Sequence, residues 1–253
     1  MILLNRIGII GIGLIGGSIT KALKKRAPTT FIGSLKCKFF ESQEGLVDSV
    51  FERLEELLIW SDIIILAVPL SSICPLAEEI AKRCPQRKEL LVIDVGSVKK
   101  EIVPCFEALT TKHLEFLSTH PMAGKETWGF LNSEADLFQD RPWIVSPHTK
   151  NTEQRITTTL QLIKTLGAQG THLSAQEHDE KMALISHLPA LLSRLLLKFV
   201  ETSDPESLSI AGPGFKSMTR LAKDNPDMYT QIINTNHEEI KKQLELFLTF
   251  CQQ

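Results

Sequence analysis

Residues Ile7 to Ser18, reading Ile-Gly-Ile-Ile-Gly-Ile-Gly-Leu-Ile-Gly-Gly-Ser, constrain this chain more than any other stretch. Ile7 to Ile10 reads as a short buried strand. Gly11, Gly13 and Gly16 then stand at G-x-G-x-x-G spacing, and an apolar run with basic residues reads as a helix out to about Arg26. Gly11 allows a tight turn, Gly13 lets a pyrophosphate approach the backbone, and Gly16 lets helix pack closely on strand. The free N–H groups at Leu14 and Ile15, with the positive end of the helix dipole, would hold the phosphates. Strand, turn and helix in that order predict a Rossmann-type dinucleotide-binding unit. The plain alternative is a glycine-rich turn in some other α/β protein.

The rest of the chain repeats the same alternation. Thr30 to Gly33 is placed as a second strand, and Asp62 to Pro69, Leu90 to Val95 and Leu114 to Ser118 are near-continuously apolar strands. Helical spacing runs over 51–59, 71–83 and 99–110. Strands of that composition between helices predict a parallel sheet covered on both faces. Ligands in such sheets lie at the carboxyl ends of the strands. Gly11, Val68, Pro69, Gly96, Ser97 and His120 all fall there and should face one crevice. Trp143 to Ser146, a helix from Thr152 to Leu166 and Gly170 to Leu173 would extend the sheet.

From about Ser174 only helices are predicted, over 177–200, 205–210, 217–223 and 227–250. The run Met182 to Val200 is apolar nearly all round, which implies burial on every side. About 80 residues of helix cannot enclose such a segment unaided, so the region is expected to pack against its twin in a homodimer. The predicted architecture is α/β. An N-terminal Rossmann-type, mostly parallel sheet (residues 1–174) precedes an all-α substrate and dimerisation domain (residues 175–253).

Composition narrows the partners. A net charge of -2 over 253 residues gives no reason to expect nucleic acid or an anionic membrane. No run approaches ~18 uninterrupted apolar residues, so no membrane span is expected, and glycines punctuate the first apolar segment unlike a leader. Five scattered cysteines, never spaced C-x-x-C, read as reduced thiols of a cytoplasmic protein with no metal site.

The candidate chemistry clusters in four places. His120 precedes a proline at the crevice mouth and could accept a proton from a substrate hydroxyl during hydride transfer. Ser97 could donate to that hydroxyl or to His120, or cap a helix starting near Lys99. His187 lies in the apolar helix and needs a polar partner, either substrate or backbone. Arg220 could grip a carboxylate through its fork, or form a surface salt bridge. At the end of the second strand no acid awaits a ribose hydroxyl. Ser34, Lys36 and Lys38 suit a 2′-phosphate better, which favours NADP slightly over NAD, unless they are merely a solvated loop.

Several strings resemble one family in their order along nearly the whole chain. These are Gly11–Ser18, Asp94–Lys99, Ser118–Gly124, His178-Asp179, Ser186–Pro189 and Ala211–Arg220, and the family is that of prephenate/arogenate dehydrogenases. The resemblance implies an NAD(P)-dependent oxidative decarboxylation of prephenate or arogenate in tyrosine biosynthesis. It makes His120 the catalytic histidine, Ser97 its neighbour on the same hydroxyl, Arg220 the carboxylate ligand and Glu126 a residue near the entrance. Three departures bear on the substrate. Ala190 stands where a second histidine is common, Ser217 replaces an acid that could orient Arg220, and Tyr229 replaces a tryptophan. Ala190 removes a potential cation, which favours an ammonium-bearing substrate, while Ser217 argues the other way. Two rivals remain: another oxidoreductase of the β-hydroxyacid dehydrogenase or imine reductase type, and a non-catalytic dinucleotide sensor.

Overall fold

The computed structural model describes residues 5–36, 45–86 and 88–253. Strand β1 (Arg6–Ile10) runs into helix α1 (Leu14–Arg26), and β2 (Phe31–Leu35) follows. Next come β3 (Ser49–Phe51), α2 (Leu54–Trp60), β4 (Ile63–Leu66), α3 (Leu70–Arg83), β5 (Leu90–Asp94) and α4 (Ile102–Leu109). Then β6 (Leu114–Pro121), β7 (Pro142–Ser146), α5 (Glu153–Thr165) and β8 (Gln169–His172) complete one eight-stranded sheet in the order β3-β2-β1-β4-β5-β6-β7-β8. All neighbours are parallel except β6 and β7. The expected mostly parallel sheet is what forms.

Alternation along the strands explains the core. Ile7, Ile9, Ile63, Ile65, Leu91 and Ile93 point into one cluster with α1 and α5, while Ile10, Ile64, Leu66, Leu90 and Val92 point into the other, with α2, α3 and α4. A strand covered on both faces needs apolar side chains at every position, hence the unbroken runs. The edge strand β3 went unrecognised because three residues with one serine carry no such signature.

The last strand to touch the central sheet, β6, changes partner midway. Leu114 to Leu117 pair with β5, and Ser118 to Pro121 pair antiparallel with β7, His120 lying opposite Ile144. His120 is therefore inside the strand's final turn rather than after it. It projects beyond the end of β5, at the carboxyl edge of the sheet.

After β8 the chain is helical: α6 (Ala175–Met182), a π-turn (Ala183–His187), α7 (Leu188–Ser203), a 3-10 turn (Pro205–Ile210), α8 (Pro213–Met218), a second 3-10 turn (Arg220–Lys223), α9 (Pro226–Thr235) and α10 (His237–Cys251). The single helices predicted over 177–200 and 227–250 are thus each interrupted. Pro189 has no N–H to give the regular ladder, and the wider π-turn just before it absorbs the mismatch. At Asn236 the side chain is drawn inward and the helix breaks.

The predicted burial of Met182 to Val200 on every side is not met within one chain. Ala175–Ser203 forms one helical run long and apolar enough, by length and composition alone, to cross a membrane, and only 28% of its apolar window is buried. His187, Arg194 and Lys198 interrupt the run, so it is not an uninterrupted apolar stretch of ~18 residues. Ser193 and Arg194 nonetheless bond the turn at 221–224, which ties the helix into the helical layer. Leu184, Ile185, Leu195, Phe199 and Phe250 remain exposed and form the uncovered flank.

Candidate active site

The nucleotide edge starts at Gly11, whose φ of +96° suits glycine alone; a Cβ there would lie 2.3 Å from the Ala67 carbonyl oxygen. A Cβ at Gly16 would lie 2.0 Å from the Gly11 oxygen, so only glycine lets α1 approach this closely. At Gly13 a Cβ would meet nothing within 4 Å, which leaves open space where phosphates would sit. Helix α1 carries no acid in its first turn, so its positive end is not neutralised. Leu14 and Ile15 open that turn, half-buried, and Val68 and Pro69 lead from β4 into α3 directly beside Gly11. These residues fit a dinucleotide.

The ribose end differs from expectation. Ser34 is fully buried and its Oγ donates to the Leu35 carbonyl oxygen, so it turns away from any phosphate. Lys36 is exposed and pairs with Glu52 at 2.7 Å. Lys38 lies outside the described residues.

At the other strands a buried polar framework holds the edge together. The Asp94 carboxylate at the end of β5 accepts from Lys99 Nζ at 2.6 Å, Ser118 Oγ at 2.7 Å, the Gly96 N–H at 2.7 Å and the Thr119 N–H at 3.1 Å. Lys99 is wholly buried, and Nζ also donates to Ser118 Oγ and the Thr119 carbonyl. Burial pushes its ammonium pKa down against the pull of Asp94. The framework fixes β6 up to the residue before His120.

His120 Nδ1 lies 2.8 Å from His178 Nε2, and His178 Nδ1 lies 2.6 Å from Asp179 Oδ1. The Asp179 carboxylate also accepts the Lys99 N–H at 2.8 Å and the Lys100 N–H at 2.7 Å. Ser97, in the turn after β5, is not the partner of this His120 nitrogen, and the following helix starts at Ile102 with Glu101 as its cap rather than Ser97. Burial first, then the neighbouring His178, Lys99 and His187, hold His120 well below the usual imidazole range. His120 is therefore neutral at physiological pH, with one ring nitrogen carrying a lone pair.

On the helical side Asn236 Nδ2 donates to the Asp179 carbonyl at 2.9 Å and lies 3.1 Å from His187 Nδ1. The polar partner that His187 was expected to need is thus Asn236. Tyr229 reaches the His187 carbonyl only at 3.5 Å, and its ring lies 3.7 Å beneath the Arg194 guanidinium. Arg194 donates to the Leu221 and Asp224 carbonyls, bracketing the turn that opens at Arg220. Arg220 itself is exposed and ion-paired with Glu126, so the acid missing at Ser217 is supplied from another segment. The backbone N–H of Ser71 at the start of α3 donates to Gln231 Oε1 on α9 at 3.0 Å, joining the sheet edge to the helical layer.

Sequence reasoning did not assign roles to His178, Asp179, Asn236, Asp94 or Lys99. Asp94 and Lys99 bounded one family string and His178-Asp179 formed another, whereas Asn236 carried no signal.

Burial lowers His187 to about 4, and lowers His120, His148 and His178 in the same direction. A histidine neutral in the fold takes up its proton near pH 6.5 once unfolded, so the unfolded chain binds more protons between about pH 4 and 6.5. Stability therefore falls as the pH drops through that window. His187 alone should remove about 1.2 kcal/mol between pH 7 and pH 5.5. Urea unfolding at both pH values should show this loss, and a smaller one in His187→Asn. Equal losses in the two proteins would contradict the assignment.

A glycine turn against β4, with a neutral histidine at the same sheet edge tied to a helical layer, defines the class as Rossmann-type dinucleotide-binding proteins. The family model described as prephenate dehydrogenase, nucleotide-binding domain, matches residues 19–171, and that described as prephenate dehydrogenase, dimerization domain, matches residues 174–253. The chain belongs to the prephenate dehydrogenase family. Prephenate dehydrogenase of Lactococcus lactis is 32% identical over 254 residues, covering 96% of this chain and 68% of that protein. The Bacillus subtilis prephenate dehydrogenase is 29% identical, covering 91% of this chain and 64% of its own length. The chain thus spans about two thirds of these relatives. The solved structure of Aquifex aeolicus prephenate dehydrogenase with hydroxyphenyl propionate and NAD+ superposes with a TM-score of 0.89 at 25% identity, covering 99% of this chain and 89% of that one.

Proposed function

We propose that this chain oxidatively decarboxylates prephenate or arogenate. The observation that carries the reading is His120, neutral, held at the same carboxyl edge of the sheet as the Gly11 turn, with one ring nitrogen tied back to His178. The Aquifex aeolicus relative, whose structure holds hydroxyphenyl propionate and NAD+, supports the same substrate class. A bound nicotinamide supplies the acceptor for the hydride from ring C4. Gly11, Gly13 and Gly16 with the start of α1 would hold its pyrophosphate, and Val68 and Pro69 would flank it. His120 accepts the hydrogen of the C4 hydroxyl as the carbonyl forms, Ser97, in the turn after β5, would share that hydroxyl, and Arg220 binds a carboxylate. Loss of CO2 then makes the ring aromatic, so the protein must supply orientation and one base. Reduction of the cofactor in the presence of either substrate tests the reading. No reduction with either would leave the β-hydroxyacid type or the sensor.

His187 stays neutral above about pH 4 and Ala190 carries no charge, so the helical side of the pocket offers no histidine cation to repel an ammonium. Arogenate is accordingly used at least as well as prephenate, which a comparison of kcat/KM measures. For the cofactor, Lys36 is the remaining phosphate ligand. Its pair with Glu52 is exposed, and solvent screens such pairs so strongly that exchange for a 2′-phosphate costs little. NADP should serve at least as well as NAD. Lys36→Ala should weaken NADP by about tenfold, one lost charge contact, and leave NAD unchanged. Equal loss for both cofactors would remove Lys36 from the site.

The partner is a second copy of this chain. The exposed flank of Leu184, Ile185, Leu195 and Phe199 is apolar, and the helices that carry it match the domain described as a dimerization domain.

A further inference from the structure

We infer that His178 and Asp179, on the helical layer, act as a positioning pair that sets the tautomer of His120 on the sheet and leaves its Nε2 free as the accepting atom. The inference rests on the base role proposed for His120. Its logic follows the protons from the buried end. Asp179 is held as an acceptor by the N–H groups of Lys99 and Lys100, so its carboxylate faces donors on every recorded side. His178 Nδ1, 2.6 Å from Oδ1, must therefore carry a proton.

A neutral His178 then has a bare Nε2, which can only accept. The atom 2.8 Å away, His120 Nδ1, must donate to it. A neutral His120 with its proton on Nδ1 has its lone pair on Nε2. One carboxylate thus fixes two rings in series. Burial keeps both rings neutral in the resting protein, and the proton that His120 gains from a hydroxyl can be shared along the same line toward Asp179.

The three residues come from two layers: His120 ends β6, while His178 and Asp179 open the helical layer in α6. The base is therefore competent only while α6 is docked on the Lys99–Lys100 segment. Because the Asp179 main-chain carbonyl also receives Asn236, whose amide reaches His187, the same docking places the substrate side of the pocket.

Two measurements test the pair. Nitrogen NMR of histidine-labelled wild-type protein, without substrate, should show His120 protonated on Nδ1 and bare on Nε2. In Asp179→Asn the amide oxygen stays with the backbone donors, its NH2 faces His178, and both tautomers reverse. Turnover should then fall about 10²–10⁴-fold, as when a buried carboxylate behind a catalytic histidine is replaced, with substrate KM within about threefold. His178→Leu should lose as much. His178→Gln, whose carbonyl can still accept from Nδ1, should recover at least about tenfold of it, one charge-stabilising bond's worth. A wild-type His120 protonated on Nε2 would overturn the inference whatever the substrate proves to be. So would His178→Leu and His178→Gln proteins that fold and turn over equally. If no substrate is turned over, the NMR result still decides the tautomer, and only the base role falls.

Discussion

Replacing His120 by Asn is expected to leave a folded protein that binds cofactor normally and turns over about two to four orders of magnitude more slowly, the range for loss of a general base. Asn is the fitting substitute. Its amide nitrogen can still donate toward His178 Nε2, so the strand end and the buried line behind it stay satisfied, yet no basic atom faces the hydroxyl. The buried framework around Asp94 and Lys99 holds Ser118 and Thr119 independently of the ring, so β6 should keep its place. Because the lost interaction strengthens only as the proton moves, the effect belongs in kcat with KM little changed. Cofactor titration and kcat measured together check it. A folded mutant with near-wild-type kcat would remove the base role and favour a sensor or a different chemistry.

The fold was legible because buried parallel strands cannot hide: every position of β4 and β5 faces a core, so both read as unbroken apolar runs. The glycine turn was legible for the same kind of reason, since Gly11 has a φ and a neighbour that exclude a side chain. What stayed unread depends on distant partners. Lys99 looks like any surface lysine until its partner Asp94 is seen to be buried with it. His178 meets His120 across 58 positions of sequence, with no local pattern to announce it. The split at Asn236 was missed because the apolar spacing continues through it, while the cause is a side-chain bond to Asp179. Ser34 shows the opposite error. Its position at the end of β2 suggested a phosphate ligand, but strand alternation sends it into the interior.

Arg220→Lys is expected to raise the substrate KM by about 10–100-fold with kcat nearly unchanged. The guanidinium offers two parallel donors in one plane, which match a carboxylate's two oxygens, whereas an ammonium keeps the charge but loses the fork. Losing one such charge-assisted bond costs about 1.5–3 kcal/mol, hence the size of the effect. The present partner of Arg220 is no obstacle to substrate. The Glu126 carboxylate is partly exposed on an exposed arginine, and solvent-screened pairs of that kind contribute little. A substrate carboxylate that meets the guanidinium with both oxygens can therefore take its place. Glu126→Gln should accordingly change KM by less than about fivefold, the limit set by such an exposed pair. The direction of the turn is secured from behind, where Arg194 holds the Leu221 and Asp224 carbonyls and Ser193 accepts the Ala222 N–H at 3.0 Å. Lysine at 220 should thus leave the backbone in place, so that the KM change reports the head group alone. Steady-state kinetics on the two single mutants separate the readings. An unchanged KM in Arg220→Lys would reduce Arg220 to the surface ion pair that its exposure also permits.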